Sequence, residues 1–164
     1  MPWLAYSILE EETLKPELKL TLRYLRDWAV DPKFVRASIT NSAACPDFPY
    51  SEWGNIINGR AVNLDQVFSA FYTTSNDNRH VTQFGNLEIT TDAASTPSKV
   101  IKKDSEWRSS WEKAEDAYLY LMPHRGGELK KYGRYITKIF FATNEIYHYR
   151  VIQFDKAVRA FVAS

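Results

Sequence analysis

An internal disulfide is excluded at once, because the 164 residues include a single cysteine, Cys45. The fold therefore owes nothing to an oxidising compartment. No run of eighteen apolar residues occurs, which excludes a helical membrane span. Neither charge sign dominates: 21 Lys and Arg face 20 Asp and Glu, a net +1. That balance argues against a general polyanion binder and against an acidic solvating tail. Catalytic motifs are missing as well. There is no G-x-S-x-G elbow, and Gly126-Gly127 lacks the lysine-serine or lysine-threonine and the preceding strand of a phosphate loop. His80, His124 and His148 are never four residues apart and have no cysteine neighbour, so no metal and no cofactor is expected. Cys45, in Ala43-Ala44-Cys45-Pro46, reads as a buried, inert thiol rather than a nucleophile. Glu115-Asp116 reads as a solvated face. An enzyme is the least supported class, and no catalytic residue is nominated.

No targeting segment is legible. Met1 to Leu9 is apolar but short, lacks a basic leader and runs into Glu10-Glu11-Glu12. An intracellular protein, cytoplasmic or nuclear and without a membrane partner, is expected. The length suits one domain over residues 1–164, large enough to need no staples. The chain stops at Val162-Ala163-Ser164 within a helical pattern, as a domain excised from a longer polyprotein would.

What is present is helical periodicity rich in large rings: aromatics make up 15% of the chain. The most specific local pattern covers residues 51–72. Trp53, Ile56 and Ile57 give one short helix its apolar face; Leu64, Val67, Phe68 and Phe71 give a second. Gly59 to Val62 joins them, and Asn63 with Gln66 suggests a capping box. Before this pair, the apolar residues of 3–14 are ambiguous between a short helix and a docked arm. Pro16 then opens a helix with Leu18, Leu22, Leu25 and Ala29 on one stripe. Asp31-Pro32 starts another, with Phe34, Val35, Ser38 and Ile39 inward. Residues 41–49 are a loop. After a polar stretch at 73–79, residues 80–91 alternate around Gly85-Asn86, the pattern of a small β-hairpin, and 92–98 read as an exposed loop. Three helices follow. The first, capped by Asp104, carries Trp107, Trp111, Ala114, Tyr118 and Leu121 inward, and ends at Pro123 with Gly126-Gly127. The second, from about Glu128, carries Leu129, Tyr132, Ile136, Ile139 and Phe140. The third opens at Thr143 or Asn144 with Tyr147, Val151, Phe154, Val158 and Phe161 inward. The expected fold is mainly α: a compact bundle of about six to seven helices with one small β-hairpin.

Charge is uneven along this chain. Residues 99–164 hold 13 Lys and Arg against 8 Asp and Glu, whereas 49–98 hold 2 against 5. Lys130, Arg134 and Lys138 recur every four residues with Lys131 beside them, and Lys99, Lys102 and Lys103 form a second cluster. Such a stripe is a candidate contact for RNA or DNA phosphates, and is also what an ordinary exposed helix face looks like. The aromatics divide in the same way. Tyr120, Tyr135, Tyr147 and Tyr149 exceed what one core stripe needs and are candidate contacts for self-association or a partner.

Several stretches together resemble a known family. They are Asp31-Pro32-Lys33-Phe34-Val35, Phe48-Pro49 to Trp53, and Gly59-Arg60-Ala61-Val62-Asn63-Leu64-Asp65 with Val67-Phe68-Ser69. Later ones are Trp107 and Trp111, Pro123-His124-Arg125 with Glu128-Leu129 and Tyr132-Gly133, and Arg150-Val151-Ile152 through Asp155-Lys156-Ala157-Val158-Arg159. Over roughly residues 31–162 the chain is similar to the Gag-like, capsid-like amino-terminal domain of retroelement-type proteins of mushroom-forming fungi. The resemblance implies a helical assembly domain upstream of a zinc knuckle and polymerase or recombinase regions, and it offers no catalytic residues. No knuckle is present, as no C-x₂-C or paired Cys/His occurs. The expected function is a structural, self-assembling or protein-interaction domain. The alternative is a nucleic-acid-binding module using the basic helix face, and an enzyme stands third.

Overall fold

The computed structural model describes residues 14–72, 81–84, 87–90, 97 and 99–163. Seven α-helices occur among them: α1 Pro16–Trp28, α2 Pro32–Thr40, α3 Tyr50–Ile57, α4 Leu64–Tyr72, α5 Asp104–Leu121, α6 Gly126–Ala142 and α7 His148–Ala163. The chain is mainly α-helical. Strands β1 Val81–Phe84 and β2 Leu87–Thr90 pair antiparallel, with Val81 opposite Thr90 and Phe84 opposite Leu87. The arm up to residue 13, the stretch 73–79, His80, the Gly85-Asn86 turn and most of the 92–98 loop lie outside the described residues.

Helix boundaries follow local chemistry. Pro16 and Pro32 each open a helix where a missing N–H costs nothing, and Asp31 Oδ1 accepts the Phe34 N–H at 3.2 Å. The exit of α3 needs Gly59, whose φ of 70° is left-handed. Gly59 N–H then reaches Ile56 O at 3.1 Å and Arg60 N–H reaches Asn55 O at 2.8 Å, closing a Schellman turn. Asn63 caps α4 by accepting the Asp65 N–H at 3.1 Å. The Asn63 N–H itself goes to Glu52 Oε2 of α3 at 2.8 Å, where a capping box would have used Gln66. The joint between α3 and α4 is thus closed by a tertiary contact.

The core is shared by α3, α4, α5, α6 and α7. Trp53, Ile56, Leu64, Val67, Trp107 and Ile136 are each at most 1% exposed. Burying an aliphatic side chain of this size contributes roughly 1.5–3 kcal/mol. Helices α5 and α6 run antiparallel: Trp107 meets Phe140 at 5.8 Å between ring centres, and Trp111 meets Tyr132 at 5.2 Å. Gly133 allows that approach. A Cβ there would stand 2.7 Å from Trp111 Nε1 and 3.1 Å from Cδ1.

Several inward faces are rotated from the expected ones. On α1 the residues turned to the core are Thr21, Tyr24 and Trp28, while Leu18, Leu22 and Ala29 are exposed. Thr21 sets this phase. Its hydroxyl donates to Glu17 O at 3.0 Å and accepts from His124 Nε2–H at 2.7 Å, and His124 stacks on Tyr24. Leu18, Leu22 and Leu25 instead wall a cavity of about 460 Å³ with Ile56, Met122 and Val158 opposite. Phe34 is 68% exposed, and Ser38 is exposed too; only Val35 and Ile39 of the expected α2 face are half-buried. Asp104 is the first residue of α5 rather than its cap, and its carboxylate pairs with Arg108 at 3.3 Å. Gly126-Gly127 begin α6 rather than separate it from α5.

The largest correction falls on α7. Asn144 opens a single 3-10 turn, Glu145–Tyr147, by accepting the Ile146 N–H at 3.2 Å, and α7 begins at His148. The buried side chains of α7 are His148, Val151, Ile152 and Asp155. Tyr147, Phe154 and Phe161, expected inside, are exposed. Polar bonds help to set this phase: Asp155 is tied to α5 and α6 and to Arg159 of its own helix, and His148 Nε2 donates to Phe140 O near the end of α6 and to Thr143 O just after it, both at 3.1 Å.

Candidate functional site

The inner face of α7 is a polar hub. Fully buried Asp155 accepts from Trp107 Nε1 at 2.9 Å, from the Tyr132 hydroxyl at 2.6 Å, and from Arg159 Nη2 at 2.8 Å. Arg159 also donates through Nη1 to Val62 O, in the joint between α3 and α4. Burial, and then the bond to Asp155, push the Tyr132 phenol up, so it stays a proton donor. A second carboxylate repeats the device. Asp65 of α4 accepts the Ile101 N–H at 2.9 Å and Lys156 Nζ of α7 at 2.7 Å. With Ser69 Oγ bound to both the N–H and the carbonyl of Lys99 at 2.9 Å, the segment before α5 is stitched to α4. These bonds hold α6 and α7 in register and fix what their outer faces present.

That outer face is aromatic, aliphatic and cationic. Tyr135 of α6 is 51% exposed and Phe154 of α7 is 43% exposed; their rings meet edge-on at 6.5 Å. At the α6–α7 corner Phe141 is 80% and Ile146 69% exposed. Tyr147 and Tyr149 flank that corner, each with the Arg150 guanidinium over its ring, at 5.0 and 5.8 Å.

Of the four candidate interaction tyrosines, Tyr135, Tyr147 and Tyr149 stand on this exposed face. Tyr120 leaves the set. It packs against the core, its ring lies edge-on to Trp53 at 6.2 Å, and its hydroxyl donates to Ser42 Oγ at 3.3 Å. All seven candidate cations are exposed, but they do not form one cluster. Lys99, Lys102 and Lys103 lie before α5, which the antiparallel packing puts at the end of the pair away from Lys130. Lys130 faces α5, where its charge opposes the upward push that burial gives the Glu115 carboxyl. Lys131, Arg134 and Lys138 remain together around Tyr135. Three residues not among the sequence-based site candidates belong to the surface: Phe141, Ile146 and Arg150. The available signal was Asp155 with Arg159 four residues on, a charged pair whose burial turns the α7 aromatics outward.

Other candidates carry less chemistry. Cys45 is half-buried rather than buried, its Sγ lies 3.4 Å from Pro46 O, and burial, then the Asp47 charge, push the thiol up. Neither His124 nor His148 lines the 460 Å³ cavity. Among the described residues no group of three or more His, Cys, Asp or Glu could hold a metal, and no helix is long and apolar enough to cross a membrane. Comparison with family models, with curated proteins and with solved structures finds no match to this chain.

Proposed function

We propose that this chain is a structural, self-assembling interaction domain, and that copies associate through the corner between α6 and α7. One observation carries the reading: Phe141 and Ile146, 80% and 69% exposed, fall within nine residues of the half-exposed Tyr147 and Tyr149 where the chain turns from α6 into α7. Exposed apolar clusters bordered by polar groups mark interaction sites, and tyrosine supplies large contact area at low entropic cost. The resemblance to a Gag-like, capsid-like domain points the same way, since such a domain works by assembling.

Light scattering after size exclusion, over a concentration series, tests it. The mass should rise above the 19.0 kDa of one chain as concentration increases. The double variant Phe141→Ser/Ile146→Ser should return it to one chain without lowering the melting temperature. A wild-type mass fixed at one chain across the series would end the reading.

A further inference from the structure

The outer face of α6 is rich in cations. Counting about 100° per residue, Lys131, Arg134, Tyr135 and Lys138 fall within roughly 100° of one another around the helix. After Glu128, which is paired with Arg125, α6 contains no acidic residue. Lys131, Arg134 and Lys138 have no ion pair or hydrogen bond among the described residues. Arg150 stands four residues before Phe154, on the same side of α7, and is exposed. Its guanidinium lies over the Tyr147 and Tyr149 rings and donates to the Tyr149 hydroxyl. Uncompensated charge of one sign therefore borders an exposed pair of rings, although the whole chain is nearly neutral.

We propose that this face binds single-stranded nucleic acid, with Tyr135 and Phe154 as the stacking platform and Lys131, Arg134, Lys138 and Arg150 as phosphate contacts. Charge complementarity selects a polyanion. The rings select an unpaired one, because a base offers its π-face to a side chain only when it is not stacked within a duplex. This surface adjoins the α6–α7 corner, because Arg150 lies over the Tyr147 and Tyr149 rings, but its assigned contacts include neither Phe141 nor Ile146, so binding by one chain requires no self-association.

Fluorescence anisotropy of the full chain tests it. The probes are a labelled single strand of about 20 nucleotides, as DNA and as RNA, a duplex of the same length, and phosphatidylserine vesicles. The single strand should bind more tightly than the duplex. Lys131→Glu/Arg134→Glu should weaken it at least about tenfold and flatten the slope of log affinity against log salt by about 1 to 2. Tyr135→Ala should cost about tenfold in single-strand affinity while leaving the salt slope unchanged. Lys102→Glu/Lys103→Glu should change neither quantity. The proposal is overturned by failure of the single strand to bind, by equal duplex affinity with Tyr135→Ala silent, or by binding to vesicles alone.

Discussion

Helix α7 has two faces, and each mixes chemistries that a helix usually keeps apart. Its inner face carries His148, Asp155 and Arg159, each hydrogen-bonded, beside Val151 and Ile152; its outer face carries Phe154 and Phe161, with Tyr147 just before its first residue. Burial of Val151 and Ile152 and satisfaction of the carboxylate together set the buried side. Asp155 finds Trp107, Tyr132 and Arg159 inside, so its burial is compensated. Phe154, turned outward by this phase, presents its ring beside Tyr135 on the surface. The inner face is therefore expected to govern stability, and the outer face association and binding.

The sharpest way to break that contrast is Asp155→Ala. It strands the Arg159 guanidinium, which is itself mostly buried, and frees Trp107 Nε1 and the Tyr132 hydroxyl. Removing one partner of a buried ion pair costs about 3–5 kcal/mol, a large share of a small domain's stability. Urea denaturation should show the midpoint falling accordingly; a loss below about 1 kcal/mol would mean that the hub does not hold the helices. Gly133→Ala comes next. The new methyl would press on the Trp111 indole from 2.7 Å, and overpacking of this kind costs about 1–3 kcal/mol. Thermal unfolding should reveal it, with association and nucleic-acid binding following only the folded fraction.

A gentler probe is pH. Burial pushes the Glu52 carboxyl above its ordinary value of 4.5, although Asn55 and the Asn63 N–H oppose the shift. The folded chain then keeps this proton to higher pH than the unfolded chain does. Its contribution is full below about 4.5 and is lost as pH rises through the folded value, so stability declines over that window. Glu52→Gln, which removes the titration, should flatten this decline in urea midpoints measured from acid to neutral pH. An unchanged slope would show that the charged carboxylate is accommodated without cost. The smallest effects on stability belong to the outer face: Phe141→Ser/Ile146→Ser and Lys131→Glu/Arg134→Glu should each stay within about 0.5 kcal/mol of wild type. A large loss there would erase the distinction between the two faces.

The helical pattern was legible where local and tertiary demands coincide. Trp53, Ile56 and Ile57, then Leu64, Val67 and Phe68, are buried as their spacing predicts, as are Trp107, Trp111, Leu129, Ile136 and Phe140. It was misleading on α1 and α7, where a polar residue inside the apolar pattern found a buried partner. Thr21 meets His124, 103 residues away in sequence, and Asp155 meets Trp107, 48 residues away. Periodicity treats both residues as solvent-facing because the partner is not local. The candidate surface was half legible for the same reason. Tyr135, Tyr147, Tyr149 and the α6 cations stand out as surplus to a core, but Phe141, Ile146, Phe154 and Arg150 join them only through the phase of α7 and its corner.

By itself, the sequence determined that the chain is mainly helical. It also placed the proline and asparagine starts, put a turn at Gly59 and concentrated positive charge in the last third, because these depend on residues close in the chain. The tertiary structure alone decided which faces are buried, that Glu52 rather than Gln66 closes the α4 cap, and that Tyr120 is packed while Phe154 is presented. Those outcomes depend on whether a buried carboxylate, hydroxyl or imidazole finds a partner across the fold, which spacing along one helix cannot supply.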